Sequence, residues 1–160
     1  MELTELYNKI EQYALNTQTV ESYKTGDPYV LLNSLHIKYP IFVSALNYMQ
    51  YQDNVIEAHM SFFMVYKLAI DSSNLYTDQD NAFKVIHNVL NHLVDDYELE
   101  AIETLQITPF TQKFADICCG AWCDATVYIP NDENCLDFDK PEPEPTPEPT
   151  PTPDPDEDGD

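Results

Sequence analysis

Apolar and polar residues alternate most regularly between Ile41 and Ala69. In VIEAHMSFFMVYKLA one alternating set is Ile56, Ala58, Met60, Phe62, Met64, Tyr66 and Leu68, all apolar. The other set, Val55, Glu57, His59, Ser61, Phe63, Val65 and Lys67, is mixed. A period of two over that length predicts a strand with one buried face and one partly wet face. IFVSALNYMQY predicts its partner strand, and Gln52-Asp53-Asn54 between them supplies residues that accept turn geometry. A two-stranded hairpin is marginal in water on its own, so the other elements are expected to cover it.

Elsewhere the period changes. Leu3, Leu6, Tyr7, Ile10, Tyr13 and Ala14 recur at helical spacing over residues 2–15 and predict a one-faced helix. Gly26-Asp27-Pro28 predicts a turn that opens a short helical piece at Tyr29–Asn33, and Tyr39-Pro40 an extended approach to the first long strand. Asp71-Ser72-Ser73-Asn74 is a polar break that turns the chain and caps the next helix. Thr77, three residues before Asp80, predicts the helix start. Ala82, Val85, Ile86, Val89, Leu90, Leu93, Val94 and Tyr97 then form its apolar stripe.

A second hairpin is expected from Ala101 to Ile129, with a short strand from Ala101 to Thr108 that Thr108-Pro109-Phe110-Thr111 ends. Its long strand places Ile117, Cys119, Ala121, Cys123, Ala125, Val127 and Ile129 on one face. Asp116, Cys118, Gly120, Trp122, Asp124, Thr126 and Tyr128 fall on the other. The order helix, hairpin, helix, hairpin predicts an α+β domain over residues 1–138, an antiparallel sheet built from two β-hairpins with two covering helices. Residues 139–160 are a different material. Proline at alternate positions from Pro141 to Pro155, with glutamate, aspartate and threonine between, predicts a stiff, extended, solvated acidic tail. The domain is expected to fold without it.

Charge narrows the function. The net charge is −22 and the sequence contains no arginine; residues 1–138 carry six lysines against twenty acids, so the acidity is not confined to the tail. Such a surface releases no counterions from a nucleic-acid backbone and is repelled by anionic membranes, which argues against specific binding to either. The N-terminus, MELTELYNKIEQ, is charged from its second residue and unlike a secretory signal. No run approaches the roughly 20 apolar residues of a membrane span. A soluble, cytoplasmically made protein is expected.

Candidate chemistry is sparse. If residues 116–129 form a strand, Cys118 and Cys119 point to opposite faces, and Cys119 and Cys123 lie roughly 13 Å apart, too far to share a disulfide or a tetrahedral ion. Buried free thiols are expected there, with no metal and no cofactor. His36, His59, His87 and His92 stand at no recognisable spacing from a nucleophile, and no enzymatic activity is expected. Asp154, Asp156, Asp158 and Gly159 match the opening of a calcium loop, but the chain ends before the twelfth-position glutamate. Trp122 and Tyr128, aromatics on a polar strand face, are candidates for contact with another chain, as are Tyr48 and Tyr51 on the first hairpin.

Three phrases carry a family resemblance: ELYNKIEQYA in the first helix, KLAIDSSN at the polar break, and TPFTQKFADICCGAWCDATVYIP in the last hairpin. Together they resemble small neck, tail-completion and ring proteins of tailed phages infecting Bacteroidetes, including crAss-like phages, over roughly residues 1–135. That resemblance implies a structural virion subunit that assembles with itself into a closed ring, a dodecamer in such families. Its partners would be portal, adaptor and tail proteins, with DNA passing through an acidic lumen, and it brings no catalytic residues. The localisation it implies is the neck or tail of the virion, and the host cytoplasm during assembly. Charge alone allows another reading, an acidic DNA mimic that occupies the binding site of a host enzyme.

Overall fold

The computed structural model describes residues 3–34, 36–52, 55–99 and 105–130. Three helices and six strands follow in the order α1 (Leu3–Leu15), β1 (Ser22–Thr25), α2 (Pro28–Leu32), β2 (Ile41–Gln52), β3 (Val55–Lys67), α3 (Leu75–Asp96), β4 (Glu98–Leu99), β5 (Thr108–Lys113) and β6 (Ile117–Pro130). The class is α+β, with one open, mostly antiparallel sheet.

β3 is the central strand. It pairs antiparallel with β2 over Val55–Val65 and with β6 over its whole length, Val55–Lys67. One face is the apolar set read from the sequence: Ala58, Met60, Phe62, Met64 and Tyr66 of β3 meet Cys119, Ala121, Cys123, Ala125, Val127 and Ile129 of β6 in one buried cluster. Over this face lie α1, through Leu6, Ile10 and Ala14, and α3, through Ala82, Val85, Ile86, Val89, Leu90 and Leu93. Those spacings of three and four are what a helix needs to keep one stripe on a sheet. The two helices are tied where α3 ends: Lys9 Nζ lies 3.1 Å from Asp96, and the Tyr13 hydroxyl donates to the same carboxylate. That hydrogen bond pushes Tyr13 up to about 12 and, with Lys9, holds Asp96 below the usual carboxylate range.

Several expectations need correction. The sheet is not made of two hairpins alone. β1 pairs parallel with Ile41–Ser44 of β2, a contact that the four residues Ser22–Thr25 are too short to announce by alternation. β5 runs through Thr108-Pro109-Phe110-Thr111, the segment expected to end a strand, and pairs with Ile117–Trp122. β4 pairs with Val127 and Tyr128 on the same edge of β6 that β5 pairs further along. Residues 101–104 of the expected first strand lie outside the described residues, and Leu105–Ile107 are irregular.

α3 begins at Leu75, not Thr77, with Asn74 as its cap residue. The Asn74 side chain turns back instead: Oδ1 accepts from Ala69 N at 2.8 Å and Nδ2 donates to Lys67 O at 3.2 Å, locking the β3–α3 corner. Val94 leaves the helix stripe and is exposed, and Ile117, at the outer end of β6, is exposed as well. The short helix is α2, one residue earlier than expected, with Pro28 in its first turn and Asp27 accepting from Tyr29 N and Val30 N. Residues 131–160, including the acidic tail, Cys135 and the calcium-loop match, lie outside the described residues.

Candidate functional site

The face of the sheet away from α1 and α3 divides into two parts. At its root a second cluster forms, where Leu32 of α2 packs with Ile41, Val43, Val65, Phe114 and Cys118. α2 is only five residues long, so its cover stops there. Beyond it the strand register lays out rows of side chains across the face: Val43, Phe63 and Trp122; then Ala45, Ser61 and Asp124; then Tyr48, His59 and Thr126; then Gln50, Glu57 and Tyr128. A bulge between Leu46 and Tyr48 moves β2 by one residue, which is why Tyr48 and not Asn47 shares a row with His59.

Three of the rows carry contacts between their strands. The Phe63 and Trp122 rings stack at 5.9 Å and 16°. Asn47 Nδ2 donates to Ser61 Oγ at 2.8 Å, and Ser61 in turn donates to Asp124. Tyr48 covers the imidazole of His59, with ring centroids 4.0 Å apart, while Nδ1 of His59 is 3.0 Å from Thr126 Oγ1. Nε2 of His59 is buried without a hydrogen bond, 3.6 Å from the Glu57 carboxylate. At the start of α2, a groove of about 480 Å³ lies beside these rows, lined in part by Pro28, Tyr29, Ala45, Asn47, Ser61 and Phe63.

The residue types are those of acid–base catalysis, but the hydrogen bonds run within rows. Ser61 gives its proton to Asp124, and His59 engages Thr126; among the described residues no hydrogen bond joins Ser61 to His59. The rows therefore act as cross-strand ties on a half-open sheet face.

The cysteines are divided between the two clusters. Cys119 and Cys123 sit under the helices, Cys118 sits in the second cluster, and all three are free thiols. Burial pushes Cys119 up to about 11 and Cys123 to about 12, so both are protonated at neutral pH and poor nucleophiles. Cys118 is also raised by burial, and its Sγ lies 3.4 Å from the Tyr39 hydroxyl.

Of the four aromatics expected at an interface, three share this face. Trp122 and Tyr128 are half-buried within it, and Tyr48 is 56% exposed at its margin. Tyr51 is 65% exposed but pairs with Ile56, which puts it on the opposite face. No local motif marks Ser61, Asp124 or Asn47, and His59 stands at no motif spacing. They lay in the mixed sets of their strands, and only the register across three strands brings them into rows. No protein-family model matches this chain, and no curated protein sequence matches it.

Proposed function

We propose that this chain is a non-enzymatic structural subunit that closes into a ring in the connector or tail of a tailed phage, with its two long hairpins as the framework. A head-to-tail ring needs two different adhesive surfaces on one small subunit. The observation that carries this reading is a pair of exposed apolar surfaces at opposite ends of β3. At one end are Tyr48 and the groove beside Tyr29 and Phe63; at the other, Ile70 and Tyr76, both almost fully exposed, mark the β3–α3 corner. Roughly 26 Å of strand, from His59 to Lys67, separates Tyr48 from that corner, and roughly 13 Å, from Phe63 to Lys67, separates the groove from it. The phrases behind the family resemblance support it as well, since two of them form the β3–α3 corner and the β5–β6 hairpin. A net charge of −22 suits a lumen through which DNA slides without adhering.

Light scattering on the purified chain, followed by negative-stain imaging, tests this. Closed rings, or co-assembly with portal and tail proteins, are expected. Ile70→Glu with Tyr76→Glu should abolish them while leaving the fold intact. A wild-type chain that stays monomeric and ignores those partners would rule the reading out.

A further inference from the structure

The β2 strand has a free edge that its own fold does not use. β1 covers only Ile41–Ser44, and at Gly26, where φ is +125°, the chain turns away after donating to Ser44 O at 3.0 Å. Leu46 is engaged next, by a hydrogen bond between its backbone and the Tyr7 phenol, and the bulge at Asn47 follows. Beyond the bulge Tyr48–Gln52 pairs with β3 on one side, and among the described residues with nothing on the other. All five residues are exposed.

Their composition is anomalous for this chain. YMQYQ contains no charge and no proline, in a protein with 29 acidic residues. Sheet edges are ordinarily blunted by lysine, proline or a bulge within the exposed segment, and here the bulge precedes it. We propose that Tyr48–Gln52 pairs antiparallel with the same edge of a second copy about a two-fold axis at Gln50.

The hydrogen-bond alternation fits that axis. Gln52 and Val55 close a loop of two residues, so Tyr48, Gln50 and Gln52 exchange bonds with β3. Met49 and Tyr51 then turn their N–H and C=O groups outward. Centred on Gln50, Met49 of each copy faces Tyr51 of the other, a sulfur–aromatic pair on one face of the joined sheet. Tyr48 faces Gln52 of the other copy on the opposite face. Two copies of a strongly acidic chain repel, and an edge without charge is where they approach at least cost. The other edge of the sheet is a poor substitute: in β5 Pro109 has no N–H, and the Phe110 carbonyl already accepts from Gln79 at 3.1 Å. This contact leaves the β3–α3 corner free, shares only Tyr48 with the surfaces proposed for the ring, and does not depend on that ring.

Sedimentation of the full chain should show a dimer, or particles built of dimers. Two lysines on the edge, Met49→Lys with Tyr51→Lys, should weaken that dimer at least about tenfold with an unchanged circular dichroism spectrum. Gln50→Cys, in a Cys135→Ser background, should cross-link two copies on mild oxidation, whereas Gln52→Cys should not, because only residue 50 meets itself at the axis. The Gln50→Cys result stands even if the lysine variant misfolds. A chain that is monomeric at hundreds of micromolar, or a dimer in which Gln50→Cys fails to cross-link, overturns the proposal. Rings without the cross-link would overturn it and leave the ring reading standing; a cross-linked dimer without rings would do the reverse.

Discussion

From Ile41 to Ala45, β2 is buried at every residue; from Asn47 to Gln52 the same strand is exposed at every residue. The inner half, Ile41-Phe42-Val43-Ser44-Ala45, is nearly all apolar, while the outer half mixes Tyr48, Met49 and Tyr51 with the amides Asn47, Gln50 and Gln52. Yet the large side chains of the outer half are exposed as well. The two halves differ in cover too. The inner half lies between α1 and α3 on one face and α2 on the other, whereas the outer half projects past all three. Burial along a strand is thus set by what packs over it, and one hairpin serves as core at its root and as surface at its tip. Its central partner β3 stays buried further out, to Ala58, because β6 continues alongside it.

That contrast can be tested by substitutions ordered from root to tip. The largest effect is expected at Gly120, whose row holds Val65 and Ile41. A Cβ there would stand 1.9 Å from the Met64 carbonyl oxygen, backbone of the central strand, with no flexible side chain to yield. Gly120→Ala should cost about 5 kcal/mol or more and give insoluble chain on expression. Phe62→Ala, three residues outward along β3 and on the helix-covered face, should cost about 3–5 kcal/mol by urea denaturation, through lost burial and the cavity left beneath α1 and α3. At the boundary, Ser61→Ala removes the hydroxyl that joins Asn47 to Asp124, and a loss of about 1–3 kcal/mol is expected in the same assay.

Alkaline pH should act on the same inner region. The thiols of Cys118, Cys119 and Cys123 are raised by burial, so the unfolded chain ionises first. Their contribution is complete below about pH 8.5 and is lost as pH climbs toward 11–12, at no more than about 1.4 kcal/mol per pH unit for each thiol. Thermal melts should therefore fall progressively above pH 8.5, and replacing Cys123 by Ala should flatten that limb. Tyr51→Ala at the tip should change monomer stability by less than about 0.5 kcal/mol. A large loss there would mean that the outer half is folded core after all.

The sequence by itself determined the long elements. Alternation over residues 55–67 and 117–130 and the 3.6-residue stripes of α1 and α3 are local signals, repeated often enough to survive any tertiary context. It also separated Cys118 from Cys119, because a strand sends neighbours to opposite faces. Only the tertiary structure decided the short pieces and the rows. Ser22–Thr25 is a strand because Ile41–Ser44 offers it an edge, and Thr108–Lys113 is one despite Pro109 because β6 runs beside it. Asn47, Ser61 and Asp124, or His59 and Thr126, meet through register between strands up to 67 residues apart, and a bulge at Leu46 fixes which residue of β2 joins them. A tight turn sets the register of β2 against β3, but no local pattern encodes the register of β3 against β6, more than 50 residues away.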